Sequence, residues 1–130
     1  MKYSAKVPKR RVFYAYLKTT NGINGLTSQE LKVLSEFMWF HLACLQKDAY
    51  SIPGMNLFNT ELRKEVCANI GLTSQYLTNL LLTLKKKGMV KEEGRKALVL
   101  SKKIDDFVRS VHKTGKAIVT FELIMLEDAK

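Results

Sequence analysis

The junction Ile70-Gly71-Leu72-Thr73 constrains this chain more than any other stretch. Before it, Leu62, Val66 and Ile70 recur at the spacing of one helical face, in a segment that Asn59 or Thr60 can cap. After it, Leu77, Leu80, Leu81 and Leu84 mark the buried stripe of a second helix running from about Ser74 to Lys87. A glycine ends the first helix and a hydroxyl residue caps the second, so the chain turns sharply between them. This is the grammar of a helix-turn-helix.

The residues beyond the second helix extend the pattern. Val90 to Leu100 reads as a β-hairpin with Glu93-Gly94 at its turn and Lys91, Arg95 and Lys96 near its tip. The whole stretch resembles the winged helix-turn-helix superfamily, and within it the MarR-type repressors. Gly71-Leu72-Thr73 stands where that family turns, Leu77, Leu81 and Leu84 where it has core positions, and Lys87-Gly88-Met89-Val90 where helix gives way to wing. The resemblance covers about a third of the chain. It implies an α+β fold, a winged helix-turn-helix with a three-helix core and a hairpin wing over residues 27–100, and DNA as partner.

The face of the second helix opposite its leucines carries Gln75, Thr78, Asn79, Leu82, Thr83 and Lys86. Gln and Asn can read adenine through paired donor and acceptor groups, and Ser and Thr serve bases or phosphates. The expected duplex-binding residues are therefore Ser74, Gln75, Thr78, Asn79, Thr83, Lys85, Lys86, Lys87, Lys91, Arg95 and Lys96. Leu82 departs from the family pattern, which has a polar residue there. An exposed leucine in mid-surface is also what a protein-binding face looks like.

The charge balance supports a polyanionic partner. Lys and Arg total 22 against 12 acidic residues in 130, a net charge of +10. Most of the cations fall in two segments, Met1 to Arg11 and Lys85 to Lys103. The first is a basic arm, read either as a solvated tail or as an arm along phosphates or in a minor groove. Glu92 and Glu93 argue against wing contact with DNA.

The remaining segments complete a single domain of residues 1–130. Val12 to Leu17, rich in aromatic and apolar residues, reads as a strand, and Thr19 to Gly25 as a dense turn signal. Thr27-Ser-Gln-Glu30 is a capping box that opens a helix to about Gln46. Leu31, Leu34, Met38, Leu42 and Leu45 share one face of it, while Val33, Phe37, Phe40 and Cys44 form a second apolar stripe roughly opposite. Such a helix must be covered twice, by terminal strands or by another subunit. Asn56 to Phe58 reads as a short first strand of the core. Ile104, Phe107, Val108 and Val111 give a short amphipathic helix ending near Gly115, and Ala117 to Leu126 reads as a long apolar strand expected to pair with Val12 to Leu17.

No catalytic constellation stands out. His41 and His112 lack ligand-spaced neighbours and read as satisfied or exposed side chains. Cys44 and Cys67 read as reduced, packed thiols, and Asp105-Asp106 as favourable charge in the first turn of a helix. With no membrane-length apolar run and no signal peptide, the expectation is a cytoplasmic protein of bacterial or phage-encoded context. It needs no cofactor or metal and acts in transcription regulation or replication. A homodimer or higher assembly through helix 27–46 or the terminal strands is expected. The competing expectation is a structural or adaptor module of an assembly such as a phage particle, using the same fold for protein contacts.

Overall fold

The computed structural model describes residues 7–94 and 97–117. Its elements are α1 (Val12–Asn24), α2 (Ser28–Gln46), α3 (Thr60–Ile70), α4 (Ser74–Lys86), β1 (Val90–Glu93), β2 (Ala97–Leu100) and α5 (Lys102–Thr114). Two short 3-10 turns, Lys9–Arg11 and Ala49–Ser51, precede α1 and follow α2. The described chain is thus α-rich with one small antiparallel sheet.

Helix α2 is the axis of the molecule and touches each of the other four helices. Thr27 starts it with a reciprocal capping box: its hydroxyl accepts from the Glu30 N–H, and Glu30 accepts from the Thr27 N–H at 2.8 Å. Both of its apolar stripes are covered within the chain. Leu31, Leu34, Met38 and Leu42 are buried, and so are Val33, Phe37 and Cys44.

Among the described residues the cover is supplied by helices, which corrects the expectation of an N-terminal strand. Val12 to Leu17 is the first half of α1, not a strand, and the Thr19 to Asn24 segment continues the helix. Phe13, Leu17 and Thr20 are all buried; a strand would also align Phe13 with Leu17 but would turn Thr20 to the opposite face, whereas a helix brings all three to one side. The threonines fit because Thr19 and Thr20 donate their hydroxyls to the carbonyls of Ala15 and Tyr16. Asn21 then clamps the exit, its amide accepting from the Leu26 N–H at 2.7 Å and donating to the Leu26 carbonyl at 2.9 Å. From the other end of the chain, α5 places Ile104, Val108 and Val111 in the same core, and Phe107 stacks on Tyr16 with centroids 3.7 Å apart.

Asn56 to Phe58 is likewise not a strand. The Asn56 side chain accepts from the Phe58 N–H at 2.7 Å and makes a local turn, which drops Leu57 and Phe58 into the core, Phe58 against Phe37. Asn59 caps α3 by accepting from the Leu62 N–H at 2.9 Å. Gly71 ends that helix at φ +82°, where its N–H and that of Leu72 both reach the Cys67 carbonyl.

Thr73 caps α4, accepting from the Tyr76 N–H at 3.1 Å. The stripe Leu77, Leu80, Leu81 and Leu84 is buried as its spacing predicts. Gly88, at φ +79°, lets the chain leave α4 for the hairpin, whose register pairs Val90 with Leu100 and Glu93 with Ala97. Val90 and Leu100 at its base are buried, while Lys91, Glu92 and Glu93 are exposed. Helix α5 ends at Gly115, near the expected position. Ala117 packs against the core without strand structure, and the rest of the expected C-terminal strand, 118–126, lies outside the described residues. No described helix is long and apolar enough to cross a membrane.

Candidate nucleic-acid interface

Helix α4 has a buried side and an open one. About 100° per residue separates successive side chains, so Gln75, Asn79, Leu82 and Lys86 fall on one line, with Thr78 beside it and Tyr76 and Thr83 on the other flank. All seven are exposed, and the amides of Gln75 and Asn79 and the ammonium of Lys86 form no hydrogen bond with any described residue. No described segment of the chain seals this face.

The two flanks of the line differ. On one, Glu30 of α2 is buried, its side chain 2% exposed, yet it takes three kinds of donor. The Lys87 ammonium lies 2.6 Å from one carboxylate oxygen and the Thr83 hydroxyl donates to the other at 2.6 Å, while the Thr27 N–H completes the set. Burial alone would raise the pKa of this carboxyl. The hydrogen bonds from Lys87, Thr27 and Thr83 outweigh it and bring the value from 4.5 down to about 2. Lys87 also donates to the Gly25 carbonyl at 3.0 Å. The end of α4 is thereby bolted to the start of α2.

On the other flank, a cleft of about 160 Å³ separates α4 from the hairpin and α3. Leu81, Leu82 and Leu98 line it with Thr78, Arg63 and Lys85. Lys85 pairs with Glu92 of β1 at 2.6 Å across this gap, both side chains about two-fifths exposed. Such a surface pair adds little stability.

Of the residues expected to meet a duplex, the structure therefore brings Ser74, Gln75, Thr78, Asn79 and Lys86 together on one open surface, with Lys91 exposed on the hairpin. Thr83, Lys85 and Lys87 lie near that surface with their polar groups engaged within the chain. Arg95 and Lys96 lie outside the described residues. Arg63 spends its Nε–H on the Phe58 carbonyl at 2.8 Å. From the basic arm, Arg10 is held on α2 by Glu36 at 2.6 Å and lies 4.9 Å over the Trp39 ring.

Tyr76 and Leu82 are 44% and 52% exposed, large apolar groups on an otherwise polar face. Helical arithmetic misses Tyr76 because it sits at the edge of the open face rather than on its line.

A second polar node, far from α4, has no signature in the sequence. His41 of α2 is buried, its Nδ1 2.5 Å from the Tyr50 hydroxyl and its Nε2 2.6 Å from Asp105 of α5. Arg109 holds Asp105 from one turn further on, and Cys44 lies within hydrogen-bonding reach of Tyr50. Burial pushes the His41 pKa down against the pull of Asp105, and burial pushes the Cys44 and Tyr50 pKa values up. A neutral imidazole and a protonated thiol make this a packing joint between α2 and α5, with Asp105 a partner across the core rather than only a first-turn charge. Among the described residues no group of three His, Cys, Asp or Glu side chains is placed to hold a metal ion.

Comparison with protein-family models, curated proteins and solved structures found no significant match.

Proposed function

We propose that this chain is a non-catalytic DNA-binding protein of the winged-helix type, with α4 entering the major groove and the β1–β2 hairpin acting as a wing along the backbone. The observation that carries the reading is the open polar line of α4, anchored at its end by the Glu30, Lys87 and Thr83 bonds and bordered by the β1–β2 hairpin, on which Lys91 is exposed. A surface of this kind needs rigidity behind it and free donors and acceptors in front. The net charge of +10 supports a polyanion as partner. A role in transcription regulation or replication follows from such binding.

The test is a low-salt mobility shift with duplex DNA. Replacing Lys86, Lys91, Arg95 and Lys96 together by Ala should abolish retention and make the remaining affinity less salt-dependent, each lost phosphate contact taking close to one unit from the log–log salt slope. Retention unchanged in that variant would refute the reading.

The adaptor reading, in which the fold serves protein contacts in an assembly such as a phage particle, is favoured by the exposed Leu82 beside Leu98 in the cleft. The second stripe of α2, being covered within the chain, gives it no support. Size-exclusion with light scattering separates the two: a salt-insensitive oligomer without duplex affinity favours the assembly role.

A further inference from the structure

The chemistry along the open line of α4 is selective as well as polar. Gln75 is the second residue of the helix and Asn79 follows one turn later, about 6 Å along the axis, so the two amides face base pairs close together in a groove. An unengaged side-chain amide presents one donor and one acceptor side by side. Adenine offers the complementary pair in the major groove, N7 as acceptor and the N6 amino group as donor, whereas guanine offers two acceptors and is matched by Arg or Lys. The line has no arginine, and its one lysine, Lys86, stands at the C-terminal end. Between Asn79 and Lys86 comes Leu82, half exposed. An apolar side chain among polar neighbours fits the one apolar group on a base edge, the thymine C5 methyl.

Resting on the DNA-binding reading, we propose that α4 is selective for A·T base pairs read from the major groove, with Gln75 and Asn79 as the adenine-reading side chains and Leu82 against a thymine methyl. Lys86 then meets phosphate and adds affinity without selectivity.

Four synthetic duplexes test this with the full chain: poly(dA-dT), poly(dA-dU), poly(dG-dC) and poly(dI-dC). Hypoxanthine lacks the guanine amino group, so an I·C pair looks like G·C in the major groove and like A·T in the minor groove. The chain should bind poly(dA-dT) about tenfold or more tightly than poly(dG-dC), and poly(dI-dC) should behave as poly(dG-dC). The double variant Gln75→Ala with Asn79→Ala, both at exposed positions, should bind poly(dA-dT) no better than poly(dG-dC) while keeping its helical circular dichroism. Removing the methyl, in poly(dA-dU), should weaken the native chain and leave Leu82→Ala unaffected. Equal affinity for all four duplexes, or poly(dI-dC) behaving as poly(dA-dT), would overturn A·T reading from the major groove and leave DNA binding standing. Failure to retain any duplex would remove both.

Discussion

Glu30 at the start of α2 and His41 towards its end are both buried, and the protein satisfies them in opposite ways. Glu30 stays charged, because Lys87, Thr83 and the Thr27 N–H surround it with donors and hold its pKa at about 2. His41 is held toward its neutral form, because burial outweighs the attraction of Asp105. The first joins α2 to α4, the helix with the open face; the second joins α2 to α5, on the far side of the core. A buried charge demands several donors in fixed places, so the Glu30 joint fixes orientation as well as contact. A neutral imidazole between two oxygens asks for less, and that joint adds mainly to packing.

The largest effect expected from breaking this asymmetry lies in acid. The folded-state pKa of Glu30 is depressed, so its contribution is fully present above the unfolded value of 4.5 and is lost as pH falls through about 2. The loss amounts to roughly 3 kcal/mol by linkage. Urea unfolding followed from pH 5 to pH 2 should show it, and Glu30→Gln should be less stable at pH 7 but much flatter over that range. If native chain and variant lose stability in parallel, the carboxylate is not the group that acid attacks.

Half of the Glu30 joint is written locally in the chain. The Thr27-Ser-Gln-Glu30 box announces a cap, and the cap is there. Its second task, holding Lys87 and Thr83, spans 57 and 53 residues and leaves no local trace. The same contrast runs through the fold. Residues 59–100 are legible because a cap, a positive-φ glycine and a leucine spacing act within a few residues of one another. Val12 to Asn24 is not, since aromatic residues followed by Thr-Thr-Asn-Gly favour strand and turn locally, and only the second apolar side of α2 makes Phe13 and Leu17 worth placing on one helical face. The sequence demands a cover for that side and cannot name the supplier. On α4, the exposed line follows from periodicity alone, whereas the engagement of Thr83, Lys85 and Lys87 depends on where other elements come to rest.

A neighbouring pair of lysines sharpens the distinction between joint and interface. Lys87→Met removes the ammonium from Glu30 and should cost roughly 1–2 kcal/mol, the one-third exposure of Lys87 moderating the loss. Lys86→Met, one residue earlier, should change stability by no more than about 0.5 kcal/mol. In a duplex mobility shift the burden reverses, with Lys86→Met weakening retention directly. Thermal unfolding and retention measured on the same two proteins decide it: a stability loss confined to Lys86→Met would place the wrong lysine in the joint.

The smallest effect belongs to the other node. The folded-state pKa of His41 lies below its ordinary 6.5, so the stability it confers is present above 6.5 and drains away as pH falls through the lowered folded value. Burial and the Asp105 contacts act in opposite directions on this group, with the Arg109 charge reinforcing burial, which keeps the drop modest. Asp105→Asn takes away the opposing pull, so the imidazole should titrate lower still and the loss between neutral pH and pH 5 should grow, even as the variant starts from a lower plateau. His41→Gln should erase the slope in that window. Ring-proton chemical shifts of His41 followed against pH give the same information without unfolding. A midpoint that rises in Asp105→Asn would mean that Asp105 opposes the protonated ring, and the account of the α2–α5 joint as a neutral contact strained between burial and a carboxylate would fail with it.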